Sequence, residues 1–359
     1  MVNDEYYLWG AGKFGARVIE FLKKDIAFKA VIDNDPKKQG TLFRGLPVIS
    51  FDEASSKLPE TKIIIAMNRI AEIKAFLQRK RFIENQDYYS LIGFIPRYYW
   101  AKNKSLVFRT VSIGVTTKCT MKCKGCNTLI PYVVNSKNID TENILNDIDL
   151  LFSYVDSVIT LNITVGESLI NQELPDICFR IFEKFSGRYA EMIIQTNATV
   201  LPDDDAMRSF SKSKVFFVPS NYPENKTKTE VLINKCNEFG VGWYYNEAGG
   251  NRENWFDPGN PNCINETSPV KLQQRYKECR KPGMGLYNGW LYICAQQTWS
   301  HVVAEAGIVE SGDAFDLRQP VSETSREELY RIITQQPTET GYLSQCMRCY
   351  GTNTLLRSK

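Results

Sequence analysis

The sequence predicts an α/β protein whose centre is a partial TIM-type (βα)6 barrel, with a half-Rossmann α/β domain before it and a small α+β domain after it. Three observations carry this prediction. Strand-like and helix-like stretches alternate through the middle of the chain, a glycine-rich turn follows the first strand, and four cysteines gather near the end. Alternating β and α segments imply a parallel sheet covered by helices.

Length and composition indicate a chain of several domains. At 359 residues the chain is too long for one ordinary domain, and we predict boundaries that give segments 1–98, 99–262 and 263–359. The net charge of +3, with signs well mixed, gives no reason to expect nucleic acid or a membrane surface as partner. No apolar run approaches the roughly 20 residues that a membrane span needs. Ten cysteines without a secretory signal favour a reducing, cytoplasmic location.

The first segment carries a GxGxxG turn formed by Gly10, Gly12 and Gly15. A strand at 6–9 precedes this turn, a helix at 16–24 follows it, and the next strand ends in Asp33. This is the context of a nucleotide-binding half-Rossmann unit, in which glycines admit a phosphate and the acid accepts from ribose hydroxyls. The alternative is that the glycines only make a tight turn. Further strands are expected at 45–49 and 62–66, and a helix with an apolar stripe at Ile70, Ile73 and Leu77.

A basic, charged hinge at 102–109 is expected to lead into the barrel segment. Asp140 and Thr141 are suited to begin its first helix, since their side chains cap free backbone amides. The apolar spacing of 174–185 predicts a strongly amphipathic helix. The remaining expected helices cover 203–210 and 229–239, and the expected strands cover 107–117, 157–165, 191–199, 214–220 and 241–248.

Cys119, Cys123 and Cys126 form a CxxxCxxC triplet directly after the first strand of this segment. Three thiolates at this spacing suit three corners of one [4Fe–4S] cube and leave the fourth iron open, whereas closed clusters take four thiolates. A zinc site would need a fourth Cys or a His nearby, and the only histidine is His301. Three unlinked core thiols are the other alternative, but three lysines interleave with them.

The triplet, the preceding strand and the Asn127 that follows resemble the signature of the radical S-adenosylmethionine (radical SAM) superfamily. The resemblance implies that the open iron is chelated by the amino and carboxylate groups of S-adenosylmethionine. It extends to Gly166 and Glu167, which are similar to the GGE motif that receives the cofactor's ammonium. By the same resemblance, the polar residues after the third and fourth strands contact the cofactor; these are Asn197, Ser220 and Asn221.

Three positions depart from the family pattern. Val165 stands where the first glycine of GGE is expected, and Ala198 stands where the family often has a glycine after Thr-Asn. Gly125 replaces the aromatic residue that often precedes the third cysteine and packs on the adenine. The first two departures bear on loop conformation, since glycine adopts backbone angles that other residues avoid.

Four cysteines near the C-terminus form a second pattern. Cys279 and Cys294 frame a CX9GX4C sequence with Gly289 inside it, and Cys346 and Cys349 form a CxxC. Two cysteine pairs are also the ligand set of a zinc ribbon. The combination resembles the shortened Twitch form of the SPASM domain, which binds one auxiliary [4Fe–4S] cluster. Four thiolates would close this second cluster.

Together these resemblances imply an enzyme with two [4Fe–4S] clusters that uses S-adenosylmethionine. A flavodoxin- or ferredoxin-type donor reduces the first cluster, and cleavage of the cofactor gives a 5′-deoxyadenosyl radical that takes a hydrogen atom from the substrate. The auxiliary cluster and the nucleotide-binding-like segment favour oxidation or epimerisation of a small sugar or nucleotide-sugar. Two alternatives stay open: a radical SAM peptide maturase, and a non-enzymatic metal-stapled binding or electron-transfer protein.

Overall fold

The computed structural model describes residues 5–58, 60–67, 70–245, 255–279, 283–304, 313–334 and 340–352. The chain separates into two compact units, an N-terminal unit of residues 1–109 and a C-terminal unit of residues 110–359. The predicted division of the second unit at 262 stays a prediction.

The N-terminal unit is built on a six-stranded sheet in the order β3-β4-β2-β1-β5-β6. All neighbouring pairs are parallel except the β3–β4 hairpin. The parallel strands follow the order of a doubly wound nucleotide-binding sheet, and β5 and β6 extend it beyond one mononucleotide half. The strands are β1 (Glu5–Trp9), β2 (Phe28–Ile32), β3 (Leu42–Phe43), β4 (Leu46–Ile49), β5 (Thr61–Ile65) and β6 (Tyr88–Ser90).

The structure describes four helices beside this sheet, of which the first and third were predicted and the second and fourth were not. They are α1 (Lys13–Leu22), α2 (Phe51–Ser55), α3 (Ile70–Arg79) and α4 (Leu91–Asn103). Helix α4 covers position 98, where a boundary was predicted, and the start of the predicted hinge. Its aromatic side chains Phe94 and Tyr98 are buried and stacked with ring centroids 5.3 Å apart. Residues 91–103 therefore belong to a packed helix of this unit.

The C-terminal unit contains an open eight-stranded sheet in the order β11-β10-β9-β8-β7-β12-β13-β14. Strands β8 to β11 pair in parallel, β12 pairs in parallel with β7, and β13 and β14 add antiparallel pairs. The strands are β7 (Val107–Gly114), β8 (Ser157–Thr164), β9 (Tyr189–Thr196), β10 (Val215–Pro219), β11 (Gly242–Trp243), β12 (Met284–Tyr287), β13 (Trp290–Tyr292) and β14 (Ala314–Asp316).

The first three helices of this unit begin within one residue of the predicted starts, the fourth begins three residues before its predicted start, and the last three were not predicted. Asp140 caps the first of them, since its carboxylate accepts a hydrogen bond of 3.0 Å from the Asn143 amide. Cys178 and Cys236 lie fully buried on apolar helix faces. The helices are α5 (Thr141–Tyr154), α6 (Leu174–Phe185), α7 (Asp204–Lys212), α8 (Lys226–Phe239), α9 (Pro269–Glu278), α10 (Ala295–Ala304) and α11 (Glu323–Thr334).

The predicted strands are found, most with shorter bounds. The last of them was predicted at 241–248 but is only two residues long, because residues 244 and 245 leave the sheet; residues 246–248 lie outside the described ranges. The fold class is the one that the sequence predicts and that the radical SAM resemblance implies, an α/β core on an open, mostly parallel sheet. Among the described helices, none has the length and apolar content needed to cross a bilayer.

Candidate active site

The first cysteine triplet lies in a loop that begins three residues after β7 ends. Backbone and hydroxyl contacts tie the base of the loop to a neighbouring segment: Thr117 N donates to the Lys137 carbonyl at 2.8 Å, and Lys137 N donates to Thr117 Oγ1 at 2.9 Å. Within the loop, Cys126 N donates to the Cys123 carbonyl at 3.1 Å. The triplet therefore stands at the carboxyl edge of the parallel sheet, where active sites of such folds occur.

The three thiols share one environment. Burial, with smaller contributions from Glu167, Cys126 and Cys123, raises the pKa of the Cys119 thiol to about 11. Cys119 Sγ also accepts from Met121 N at 3.4 Å. Burial thus disfavours the thiolate of Cys119, and a positively charged metal centre would stabilise that thiolate.

The first cysteine loop brings sulfur atoms and an amide donor close together. Within the described ranges, no three His, Cys, Asp or Glu side chains are close enough to bind one metal ion. Amide donors near the sulfur, such as Asn197 Nδ2 at 3.7 Å from Cys119 Sγ, are typical of the hydrogen bonding that tunes such clusters.

Glu167 is the buried acid beside this loop, with no exposed surface. Its backbone N–H donates to the Lys118 carbonyl at 2.8 Å, directly before Cys119. Its Oε1 accepts from Thr196 Oγ1 at 2.7 Å and from Leu169 N at 3.2 Å. Its Oε2 accepts from Asn197 N at 2.7 Å. A carboxylate has about four acceptor positions, so these three bonds leave one for a further donor.

The charge of Glu167 is uncompensated by any cation in these contacts. Burial raises the pKa of this carboxyl to about 7, although the bonds from Thr196, Asn197 and Leu169 lower it. A buried acid of this kind gains from a positively charged partner, which would favour its ionised form. An ammonium group is a suitable partner for the remaining acceptor position.

Backbone strain marks the two positions that depart from the family's glycines. Val165 has φ of +80° and Ala198 has φ of +60°, both in the left-handed region that glycine usually occupies. Gly166 follows with φ of +61°, and a Cβ there would lie 2.2 Å from the Lys118 carbonyl oxygen. Val165 and Ala198 thus adopt a backbone conformation that is usual for glycine. Gly166 is needed because the Lys118 carbonyl oxygen lies too close to leave room for a side chain.

The other predicted cofactor contacts lie along the same edge. Asn197 Nδ2 donates to Thr120 Oγ1 at 3.2 Å, which links the end of β9 to the cysteine loop. Ser220 N donates to the Thr196 carbonyl at 2.8 Å, so Ser220 is adjacent to the Glu167 site, whereas Asn221 is exposed. Sequence reasoning missed Asn225, a buried residue whose Nδ2 donates to the Asn197 carbonyl at 2.9 Å.

The four C-terminal cysteines converge. Cys279 follows the end of α9, Cys294 precedes α10, and Cys346 and Cys349 lie in a short helical turn at 344–347 and just after it. Burial raises the pKa of Cys294 well above its usual value, and the charges of the other three thiols raise it further. Burial and neighbouring thiols likewise raise the pKa of Cys346 to about 12. The four thiols therefore lie close enough together to raise the pKa of one another.

A cation clamps the CxxC part of this second set. Arg275, on α9, donates through Nη1 to the Cys346 carbonyl at 2.6 Å and to the Cys349 carbonyl. It also donates to Asn265 Oδ1 at 3.0 Å. Its guanidinium binds the backbone carbonyls beside two thiols, so both sulfur atoms stay available as ligands. No local pattern indicates this role of Arg275, because the role depends on the packing of two segments that are distant in the chain.

The glycine-rich turn of the N-terminal unit makes contacts of its own. Asp33 Oδ2 accepts from Ala11 N at 2.8 Å and from Lys38 Nζ at 3.2 Å, and Oδ1 accepts from Asp35 N at 2.9 Å. Gly10 has φ of +129°, and a Cβ at Gly15 would lie 1.9 Å from the Gly10 carbonyl oxygen. Gly10 and Gly15 thus allow a tight turn, Gly12 directly precedes α1, and Asp33 braces the turn.

The chain has distant likenesses among solved structures. These include BtrN in complex with AdoMet and 2-DOIA (13% identity, 71% of this chain and 97% of that chain, TM-score 0.43), and anSMEcpe with bound AdoMet (12% identity, 68% and 93%, TM-score 0.39). The maturase HydG of the [FeFe]-hydrogenase follows at 14% identity and a TM-score of 0.31, and this chain spans only 38% of its length. No family model and no curated protein matches the chain.

Proposed function

We propose that this chain is a radical SAM enzyme that oxidises or epimerises a small, sugar-derived substrate. The observation that carries the proposal is the pairing of a three-cysteine loop with a buried acid. The Glu167 amide is bonded to the Lys118 carbonyl at 2.8 Å, and its carboxylate keeps one acceptor position. A protein that only carries electrons, or that binds a metal only to stabilise its fold, needs no buried acid to bind an ammonium group.

The residues have distinct tasks in this proposal. Cys119, Cys123 and Cys126 would hold a [4Fe–4S] cluster through three of its irons. When bound, the cluster and S-adenosylmethionine supply a radical that removes a hydrogen atom from an unactivated carbon. Glu167 would receive the methionyl ammonium of S-adenosylmethionine and so orient the cofactor. Orientation of this kind is the protein's main contribution when a cofactor carries the chemistry.

Apolar side chains shield the loop from water. Cys119 and Cys126 pack against a buried cluster that includes Leu129, Val165 and Trp299. Exclusion of water and of other hydrogen donors protects a reactive centre from side reactions. The same cluster joins α10, which follows Cys294, to the first cysteine loop.

The four C-terminal cysteines support an oxidative outcome. Cys279, Cys294, Cys346 and Cys349 would ligate an auxiliary [4Fe–4S] cluster completely, leaving it free to accept an electron from the substrate. The resemblance to the Twitch extension leads to the same assignment. A closed zinc site on these thiols would remove this acceptor and leave epimerisation as the favoured reaction.

The glycine turn of the N-terminal unit supports a nucleotide-sugar as the substrate class. Gly10, Gly12 and Gly15 permit close backbone approach at the start of α1, as a phosphate requires. Asp33 already accepts three hydrogen bonds within the turn, so a ribose hydroxyl would take its remaining capacity. A flavodoxin- or ferredoxin-type protein is the proposed reductant.

The test is anaerobic iron and sulfide analysis with EPR, before and after addition of S-adenosylmethionine. We expect about eight irons in the wild type and about four in C119A/C123A/C126A, following the two-cluster ligand count. The EPR change on cofactor addition should be lost in the variant. Zinc in place of iron, or a spectrum that ignores the cofactor, contradicts the proposal and favours a metal-stapled binding protein. Turnover of a peptide, with no response to sugars, favours the maturase.

A further inference from the structure

Residues 255–266, here called the strap, are bound to the CxxC pair of the second cysteine set. Asn265 N donates to the Met347 carbonyl at 2.8 Å, and Asn265 Nδ2 donates to the Arg348 carbonyl. A Cβ on Gly259 would lie 2.0 Å from the same Arg348 oxygen, so the two backbones are in direct contact. The strap is thus held by the two residues that separate the cysteines of the CxxC pair.

The middle of the strap has little conformational freedom. Pro258 and Pro261 fix the backbone angle φ at two of its positions. The Asp257 side chain accepts a hydrogen bond of 2.9 Å from Gly259 N, and the Asn260 side chain accepts a bond of the same length from the amide two residues further on. Such local turns restrict the conformations of a segment. A constraint at one end of the strap is therefore transmitted to its other end.

The other end of the strap reaches the carboxyl edge of the sheet. The Trp255 ring packs edge-to-face against Tyr222, with ring centroids 5.8 Å apart and an interplanar angle of 65°. Tyr222 is 9% exposed and lies three residues after the end of β10. An aromatic pair of this kind contributes stabilisation beyond the apolar area that it buries. Trp255 therefore connects the strap to the loop that carries Ser220 and Asn221.

Tyr132 gives the strap a second neighbour in the segment that follows the first cysteine triplet. Burial raises the pKa of the Tyr132 hydroxyl, and the charges of Asp257 and Cys263 in the strap contribute to the rise. Tyr132 packs against the same apolar cluster as Cys119 and Cys126. The strap therefore runs from the second cysteine set past the surroundings of the first.

A short turn connects Tyr222 to the buried acid of the candidate active site. Asn225 N donates to the Tyr222 carbonyl at 3.0 Å, and Asn225 Nδ2 donates to the Asn197 carbonyl at 2.9 Å. Asn197 N in turn donates to Glu167 Oε2 at 2.7 Å. Asn225 Nδ2 also lies 3.4 Å from Met121 Sδ, in the cysteine loop. A displacement of Tyr222 would therefore be passed to both the acid and the loop.

We propose that the strap positions Glu167 and the first cysteine loop for S-adenosylmethionine, so that an occupied second cysteine set strengthens cofactor binding at the first. Trp255 and Asn225 are the positioning residues in this chain of contacts. The inference rests on the proposed function, and it gives the second set a task besides accepting an electron. Coupling between two binding sites is reciprocal, so cofactor bound at the first set should also stabilise the second.

The first test measures the dissociation constant of S-adenosylmethionine by equilibrium dialysis on anaerobic, reconstituted protein, with iron content in parallel. Loss of the second centre in C346A/C349A should weaken binding about three- to tenfold while about four irons remain. W255A should weaken binding by a similar factor, because its aromatic pair carries the effect. W243A removes a comparable pair, 5.6 Å from Tyr245 between ring centroids, and should leave the affinity unchanged.

A combined variant distinguishes coupling from two independent defects. If the strap carries the effect, W255A/C346A/C349A should bind the cofactor no more weakly than the weaker-binding of its two parent variants. W255F keeps an aromatic ring against Tyr222 and should bind within about twofold of the wild type. Losses that multiply in the combined variant, or wild-type affinity in C346A/C349A, would overturn the proposal.

Hydrogen exchange tests the strap without any cysteine variant, which matters if C346A/C349A does not fold. In wild type that binds S-adenosylmethionine, the cofactor should slow exchange in peptides from 255–266 and 344–350, and W255A should abolish this change. Peptides from α11, which takes no part in this chain of contacts, are the control. Equal exchange in the strap with and without bound cofactor would overturn the proposal.

Loading of the second set alone distinguishes failure of the strap from failure of the proposed function. In C119A/C123A/C126A, reconstitution with iron and sulfide should slow exchange in peptides covering 215–225. If it does, and the wild type binds no S-adenosylmethionine, the proposed function fails and the mechanical link stands. If the wild type binds the cofactor but exchange at 215–225 does not respond to loading, the proposed function stands and the strap proposal fails.

Discussion

Asp147 and Gly289 are joined across the core of the C-terminal unit, since Gly289 N donates to Asp147 Oδ1 at 2.6 Å. Asp147 Oδ2 accepts from Asn288 N at 2.7 Å, so one carboxylate holds both central residues of the β12–β13 turn. Both turn residues have positive φ, +50° at Asn288 and +77° at Gly289. Burial raises the pKa of Asp147, although the two amide bonds lower it. This acid on α5 therefore holds the hairpin that leads to Cys294.

D147N should loosen that hairpin and reduce loading of the second cysteine set. An asparagine can accept from one of the two amides but must face the other with its NH2 group, which leaves a buried amide unpaired at a cost of about 1–3 kcal/mol. We expect a lower melting temperature and iron content that falls from about eight toward about four per chain. D149N, on the same helix but exposed, is the control. Unchanged iron and stability in D147N would show that the hairpin is held by other contacts.

E167Q should weaken binding of S-adenosylmethionine. The substitution removes the negative charge that would pair with the methionyl ammonium, and hydrogen bonds to charged groups contribute about 1.5–3 kcal/mol. We expect a dissociation constant about ten- to a hundredfold larger, measured by equilibrium dialysis on the anaerobic protein. Iron content is measured in parallel, and E173Q, an exposed position, is the matched control. Equal affinity in E167Q would remove Glu167 from the cofactor site.

Substitutions at Gly166 and Ala198, two small residues in the left-handed region, should differ in their effect on stability and iron loading. G166A places a methyl group 2.2 Å from the Lys118 carbonyl oxygen, so the Glu167 loop must move and iron loading at the first triplet should fall. A198G should stay within about 1 kcal/mol of wild type, since the strain relieved at φ of +60° offsets the lost methyl burial. Thermal melts and iron analysis check both. A G166A protein with full iron and normal melting would refute the close approach.

The N-terminal unit should lose stability in acid through Asp25. This residue accepts from Tyr99 Oη at 2.6 Å and pairs with Lys102 at 2.5 Å. Burial tends to raise the pKa of Asp25, but the bonds from Lys102 and Tyr99 lower it below its usual value. The stabilisation is therefore present above the unfolded-state pKa, about 4, and is lost as pH falls through the folded-state value.

Hydrogen exchange of peptides from β1 and α4, followed between pH 3 and 7 with intrinsic rates corrected, checks this prediction. D25N should exchange faster than wild type at neutral pH and show less change in protection on acidification. D205N, at an exposed position of the other unit, should match wild type. A wild-type unit whose protection does not decline in acid would contradict the role given to Asp25.

Helices α5 and α6 were predicted because their ends or their buried faces depend on residues that are near one another in the sequence. Asp140 marks the start of α5, and the apolar spacing of 174–185 marks α6 with its observed bounds. Helix α4 was missed because Pro96 lies inside it and removes a backbone donor, which argues against a helix. Its stability comes from buried aromatic contacts that only the folded unit supplies.

The residues of the candidate site were visible in the sequence, whereas the groups that hold them in place were not. The cysteine spacings and Gly166-Glu167 were visible in the sequence. The backbone angle at Val165 was not, because β-branched residues rarely adopt positive φ. The roles of Asp147, Arg275 and Asn225 depend on groups that are distant in sequence, so no local pattern indicates them.

Helix α9 couples three of the four cysteines in the second set to one another. Its last turn leads into Cys279, and its Arg275 holds the carbonyls of both Cys346 and Cys349. Unravelling this one helix would free three of the four sulfurs together. A metal centre on these four thiols should therefore assemble and be lost as a unit, so that partial oxidation or chelation yields chains with either an intact centre or none.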